Sequence, residues 1–126
     1  MFRLFELFGR SATLQALHDA LRVAGLHPLL LPEAVKLTVI KLVRKEAPHL
    51  PQDEAFARAA ELLAYCVLGH VNLANSTTEA AAEAAEARLD AALEDGTSLD
   101  AKLILLALHA NILAPEIAAQ IDMDAD

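Results

Sequence analysis

Residues 53–75 read DEAFARAAELLAYCVLGHVNLAN, and this stretch decides the fold class. At about 100° per residue its polar side chains Glu54, Arg58, Glu61, Tyr65 and Asn72 fall in one narrow stripe. Everything else on it is apolar or small. A helix that is apolar nearly all round has to be covered on most of its circumference. The stretch therefore predicts the central helix of a bundle, opened by Asp53 and ending near Asn75.

The flanking segments repeat the helical pattern, with breaks where helix punctuation falls. Upstream, Leu14, Leu17, Leu21 and Ala24 recur at spacings of 3, 4 and 3, with Gln15, His18, Asp19 and Arg22 on the other side. Ser11 reads as the N-cap of this helix and Gly25 as its left-handed stop. Pro32 suits the first position of a helix that Pro48 and Pro51 close near Ala47. Val35, Thr38, Val39, Ile40 and Val43 are strand-favouring there, but a lone strand has nothing to pair with, so helix is the expectation.

Downstream, Ser76 and Glu79 match a capping box for an Ala-rich helix that Gly96 ends. Ser98 or Thr97 caps a further helix over residues 99–113, and Pro115 starts a short one over 115–121. The acidic tail at 122–126 reads as frayed. Together these predict an all-α fold: one domain over residues 1–126, a compact antiparallel helical bundle of about five principal helices with short terminal helices.

Composition agrees. Alanine supplies 27 and leucine 24 of the 126 residues, a balance far from that of a disordered chain. Alanine richness is also compatible with a GC-rich bacterial genome. One cysteine, Cys66, leaves no intramolecular disulfide and no multi-thiolate metal site, so neither metal nor cofactor is expected. The start lacks a signal-peptide pattern, and no apolar run approaches the length that spans a bilayer, which makes the cytoplasm the expected location.

Net charge is -8 and disfavours nucleic acid as a partner. Residues 1–50 carry seven basic and four acidic side chains, whereas residues 51–126 carry three and fourteen. Lys36, Lys41, Arg44 and Lys45 form the only basic cluster and read as a solvated helix end, well placed for the helix dipole.

Few side chains suggest chemistry. Cys66 and His70 stand four apart, one turn along a shared face, and could act as a nucleophile–base pair, as two zinc ligands or as the polar groups of a pocket. The plain alternative is a core histidine beside a buried thiol. His109, on an otherwise aliphatic helix, joins them as a pocket candidate. His18 reads as a surface residue. Glu46 and His49 have the spacing of a di-iron ligand pair, but Pro48 breaks the helix that spacing needs.

Two stretches suggest an interaction surface. Glu79, Glu83, Glu86, Asp90 and Glu94 form an acidic stripe whose neighbouring like charges cost a few tenths of a kcal/mol per pair. Phe2, Phe5 and Phe8 give the segment from Met1 to Phe8 an aromatic face, too short to stand alone as a helix in water. The functional expectation is a small non-enzymatic helical protein-interaction module, adaptor or regulatory, acting as a homodimer. The alternative is a carrier or sensor of an apolar small molecule held in a bundle cavity.

Overall fold

The computed structural model describes the backbone of residues 2–125 and the side chains of residues 11–122. Seven α-helices appear among the described residues: α1 (Phe2–Val23), α2 (Glu33–Glu46), α3 (Gln52–Leu68), α4 (His70–Ser76), α5 (Glu79–Glu94), α6 (Leu99–His109) and α7 (Pro115–Ala125). A 3-10 turn at Pro28–Leu30 joins α1 to α2, with the His27 ring accepting the Leu29 N–H at 3.1 Å. None of the described helices is long and apolar enough to cross a membrane.

The expected central helix is central. α3 packs against α1, α2, α4, α5 and α6, and it buries Phe56, Leu62, Leu63, Tyr65 and Cys66 together with four alanines. Ala82, Ala85 and Ala92 of α5 and Ala101 and Ala107 of α6 are buried as well, so small side chains set how closely the axes approach. The β-branched stretch is indeed helical, because Val35, Val39, Ile40 and Val43 share the face of α2 that enters the core. Packing of an amphipathic face outweighs weak intrinsic propensity.

That helix does not reach Asn75. It stops at Gly69, which has φ +84° and so cannot continue an α-helix, and the chain restarts as α4. The Ala114 N–H, from the turn before α7, donates to the freed Cys66 carbonyl at 2.8 Å. A methyl group at Gly69 would lie 1.8 Å from Glu116 Oε1. A distant part of the chain thus fits over the end of α3 and holds the break.

The start of α1 and the end of α6 differ from expectation. α1 runs unbroken through Gly9 and Ser11, so Ser11 caps nothing. It stops as foreseen at Gly25, where Gly25 N–H bonds the Arg22 carbonyl and Leu26 N–H the Leu21 carbonyl. The same pair of bonds, from Asn111 to Leu108 and from Ile112 to Ala107, ends α6 at His109 instead of residue 113, with Asn111 at φ 59°. Asparagine tolerates the left-handed region better than most residues, which makes it the stop signal here.

Thr78, not Ser76, caps α5. Its hydroxyl accepts the Ala81 N–H at 3.0 Å, while Ser76 closes α4 by donating to the Leu73 carbonyl. Ser98 caps α6 as expected, accepting the Ala101 N–H at 3.1 Å. α7 continues past residue 121 to Ala125, and the side chains of the tail beyond residue 122 lie outside the described residues.

α1 and α2 run antiparallel. Arg44 Nη2 donates to Thr13 Oγ1 at 3.0 Å near one end, and Lys36 faces His18 near the other. Lys36 is not solvated: it is 5% exposed, with Nζ donating to the Pro28 carbonyl at 3.3 Å. Its four methylenes line the core while its head meets a backbone oxygen. At the far end of α2, Glu46 pairs with Lys102 of α6.

Candidate functional site

A groove of about 530 Å³ runs over α3 between α1 and α5. Ala16, Ala20 and Val23 of α1 form one wall, and Ala81, Ala84 and Ala85 of α5 the other. Phe56 and Ala57 of α3 lie between them, Leu73 comes from α4 and Thr77 from the residue that follows it. The polar groups are Asp19, Asp53 and Glu61, with Arg88 as the single cation. The groove follows from sequence directly. Alanine walls cannot fill the space between two helices that both lean on α3, so an apolar trough stays open.

Val23 on the groove wall is 84% exposed, and Leu29 in the following turn is 81% exposed. An exposed apolar side chain such as Val23 on the wall of an apolar groove enlarges the kind of patch that marks interaction sites.

Arg88 belongs to the fold as much as to the groove. Its Nε and Nη2 donate to the two Asp100 carboxylate oxygens at 3.0 and 2.8 Å, and Nη1 donates to the Arg58 carbonyl at 2.8 Å. Glu61 lies 3.8 Å away. Asp19 is itself engaged, accepting from Gln15 Nε2 at 2.9 Å and Arg22 Nη1 at 3.5 Å, so with Arg88 bound to Asp100 the carboxylates left to meet a ligand are Asp53 and Glu61, and the lining is net acidic.

Gly69 breaks the helix between Cys66 and His70, so the continuous helical face that their spacing suggests is interrupted. Cys66 is fully buried, and burial pushes its thiol up to about 12, so the thiolate that nucleophilic or metal chemistry needs is suppressed. His70 instead faces α5. Its Nε2 lies 2.8 Å from Glu79 Oε1 and its Nδ1 3.7 Å from Glu86 Oε2. The Glu79 hydrogen bond, helped by the charges of Glu79, Glu86 and Glu83, holds the imidazole above its usual 6.5. Tyr65 meets the ring edge-on with centroids 6.0 Å apart, and burial pushes its hydroxyl up to about 12.

No protein-family model matches this chain, and no curated protein or solved structure does either. The site is therefore read from its own chemistry.

His109 sits exposed in the last turn of α6. Neither Cys66, His70 nor His109 lines the groove. Among the described residues no cluster of three His, Cys, Asp or Glu side chains could hold a metal ion. Of the acidic stripe, Glu79 and Glu86 are engaged by His70, and Asp90 accepts Gln120 Nε2 at 3.0 Å. Glu83 remains exposed. The side chains of Phe2, Phe5 and Phe8 lie outside the described residues.

Sequence reading missed Arg88 and the groove. The signal for Arg88 was present: it is the sole basic residue on a helix carrying Glu79, Glu83, Glu86, Asp90 and Glu94. A lone cation among acids is the natural partner for a carboxylate elsewhere in the chain. The groove had no comparable signal, since an alanine face reads as close packing until the neighbouring axes are known. His18, which the sequence places on the surface, is half-buried, with no hydrogen-bond partner for its buried Nε2.

Proposed function

We propose that this protein is a non-enzymatic helical interaction module of the cytoplasm that acts as a homodimer, with the groove between α1 and α5 as its docking surface. The groove carries the reading: an open apolar trough with alanine walls and an acidic rim has the form in which an amphipathic helix is held by its apolar face. Recognition there needs no catalytic side chain, and the two residues best suited to chemistry are otherwise engaged, Cys66 in the core and His70 with the α5 acids.

Residues 99–113 carry only Asp100, Lys102, His109 and Asn111 as polar groups, and a second helix apolar nearly all round calls for the cover that a subunit interface gives. α6 leaves Leu105 46% and Leu108 38% exposed, while Leu103, Ile104 and Ala107 are buried. The groove with Val23 is the more extensive apolar surface, and the dimer argument moves to it. Sedimentation equilibrium over a dilution series tests the reading. A concentration-dependent dimer that Ala84→Arg disrupts supports it, and a chain that stays a 13.5 kDa monomer at every concentration sinks it.

The volume of the groove favours a second reading, because about 530 Å³ lies in the range of small-molecule sites. On that reading the protein carries an apolar ligand, with Thr77 and the rim carboxylates as the polar contacts. Native mass spectrometry separates the two: excess mass over the chain that is lost on denaturation means a bound ligand.

A further inference from the structure

We infer that the occupant of the groove is the N-terminal segment of a second copy of this chain, residues 2–10 of each protomer lying in the groove of the other. The inference deepens the interaction-module reading and rests on it. Its first support is continuity. The groove wall of α1 spans Ala16 to Ala24, and residues 2–10 belong to the same unbroken helix, Phe2–Val23 and its cap. A straight helix cannot fold back along itself, so the segment cannot enter its own groove. If residues 2–10 fill the groove, they come from another molecule.

The second support is register. Two copies of α1 crossing antiparallel about residue 13 oppose position 2 to position 24 and position 10 to position 16. Segment and wall each cover nine positions, about 12 Å of axis at about 1.5 Å per residue. One two-fold operation therefore fills both grooves at once, which is the self-complementarity an isologous dimer requires. The antiparallel partner α2 does not obstruct this. Arg44, two residues before its end at Glu46, is level with Thr13, so residues 2–10 run on past the end of α2.

The third support is chemistry. The segment FRLFELFGR places Phe2, Phe5 and Phe8 at helical spacing with Arg3 and Arg10 against one acid, Glu6. Large aromatic anchors suit a trough walled by alanine, and a net positive segment suits the Asp53 and Glu61 carboxylates of its rim.

Two full-length variants test this. Ala84→Arg obstructs the groove at an exposed helical position, where arginine is a good helix former. Phe5→Glu with Phe8→Glu removes the anchors and reverses the segment's charge. Each variant alone is expected to be monomeric, with the dimer dissociation constant raised about thirtyfold or more, the scale of a hot spot. Mixed, they are expected to form a heterodimer, since the segment of the first fits the groove of the second. Native mass spectrometry reads that heterodimer by mass, and its appearance also shows that both variants are folded. A phenylalanine variant that dimerises like the parent while Ala84→Arg does not would overturn the segment assignment and leave the groove reading standing. Two monomeric variants that fail to complement would also overturn it. A parent chain that never dimerises overturns the homodimer reading itself.

Discussion

Arg88 and Asp100 are joined through both carboxylate oxygens, and the third guanidinium nitrogen reaches the Arg58 carbonyl, so one side chain ties α5 to α6 and α3. The two side chains are 22% and 27% exposed, which places the pair between a surface bridge and a core one. Removing one partner leaves the other partly desolvated without its counter-charge. Arg88→Ala is expected to destabilise the fold by about 2 kcal/mol, read as a lower urea midpoint. A double-mutant cycle with Asp100→Ala should return most of that cost as coupling.

Gly69→Ala tests the break between α3 and α4. Two effects oppose the methyl group: a φ of +84° and the Glu116 carboxylate in its path. The carboxylate is the mobile end of a side chain and can move aside, whereas the backbone angle cannot. A loss of about 1–3 kcal/mol is expected, and Glu116→Ala in the same chain should restore only a minor part of it.

The histidines at 18 and 70 should titrate on opposite sides of 6.5. Burial, then the charges of Lys36 and Arg22, hold His18 below that value against a smaller opposing pull from Asp19. The Glu79 hydrogen bond holds His70 above it. An NMR titration checks the order, and Lys36→Met should move the His18 midpoint up while leaving His70 in place. Stability follows with defined signs. The His70 contribution is full below 6.5 and is lost as pH rises through its raised folded value. The His18 contribution is full above 6.5 and is lost as pH falls through its lowered folded value. Melting temperatures of His70→Gln against the parent should therefore differ most at acid pH and converge at alkaline pH.

Cys66 should be chemically silent in the native protein. With no exposed surface and a thiol pushed up to about 12, it is expected to resist a thiol reagent at neutral pH and to react once urea unfolds the chain. Rapid modification of the folded protein would restore Cys66 as a site candidate.

What the sequence made legible was whatever one segment settles alone. The Leu17–Leu21–Ala24 face, the Gly25 stop, the Ser98 cap and the centrality of α3 all follow from local spacing and capping chemistry, and the structure has them. Gly69 was visible as a glycine in an apolar run. Its effect depends on Ala114 and Glu116, more than forty positions away, and no local rule carries that information. The burial of Lys36 has the same character, since its acceptor is the carbonyl of Pro28 in the preceding turn. The face shared by Cys66 and His70 is interrupted for the same reason, because a helical wheel drawn through Gly69 assumes a continuity that the break removes.

The alanine contacts around α3 also constrain how this sequence can drift. Ala59, Ala60 and Ala64 of α3, with Ala82 and Ala85 of α5 and Ala101 and Ala107 of α6, sit where helices meet, and each is already the smallest side chain that keeps good helix propensity. Truncation has almost nothing left to remove there, while enlargement wedges two backbones apart at a cost of about 1–3 kcal/mol for each insertion. Tolerance to substitution is therefore one-sided: the centre of this protein resists growth far more than loss, and accepted change should collect at its leucines and on its outer faces.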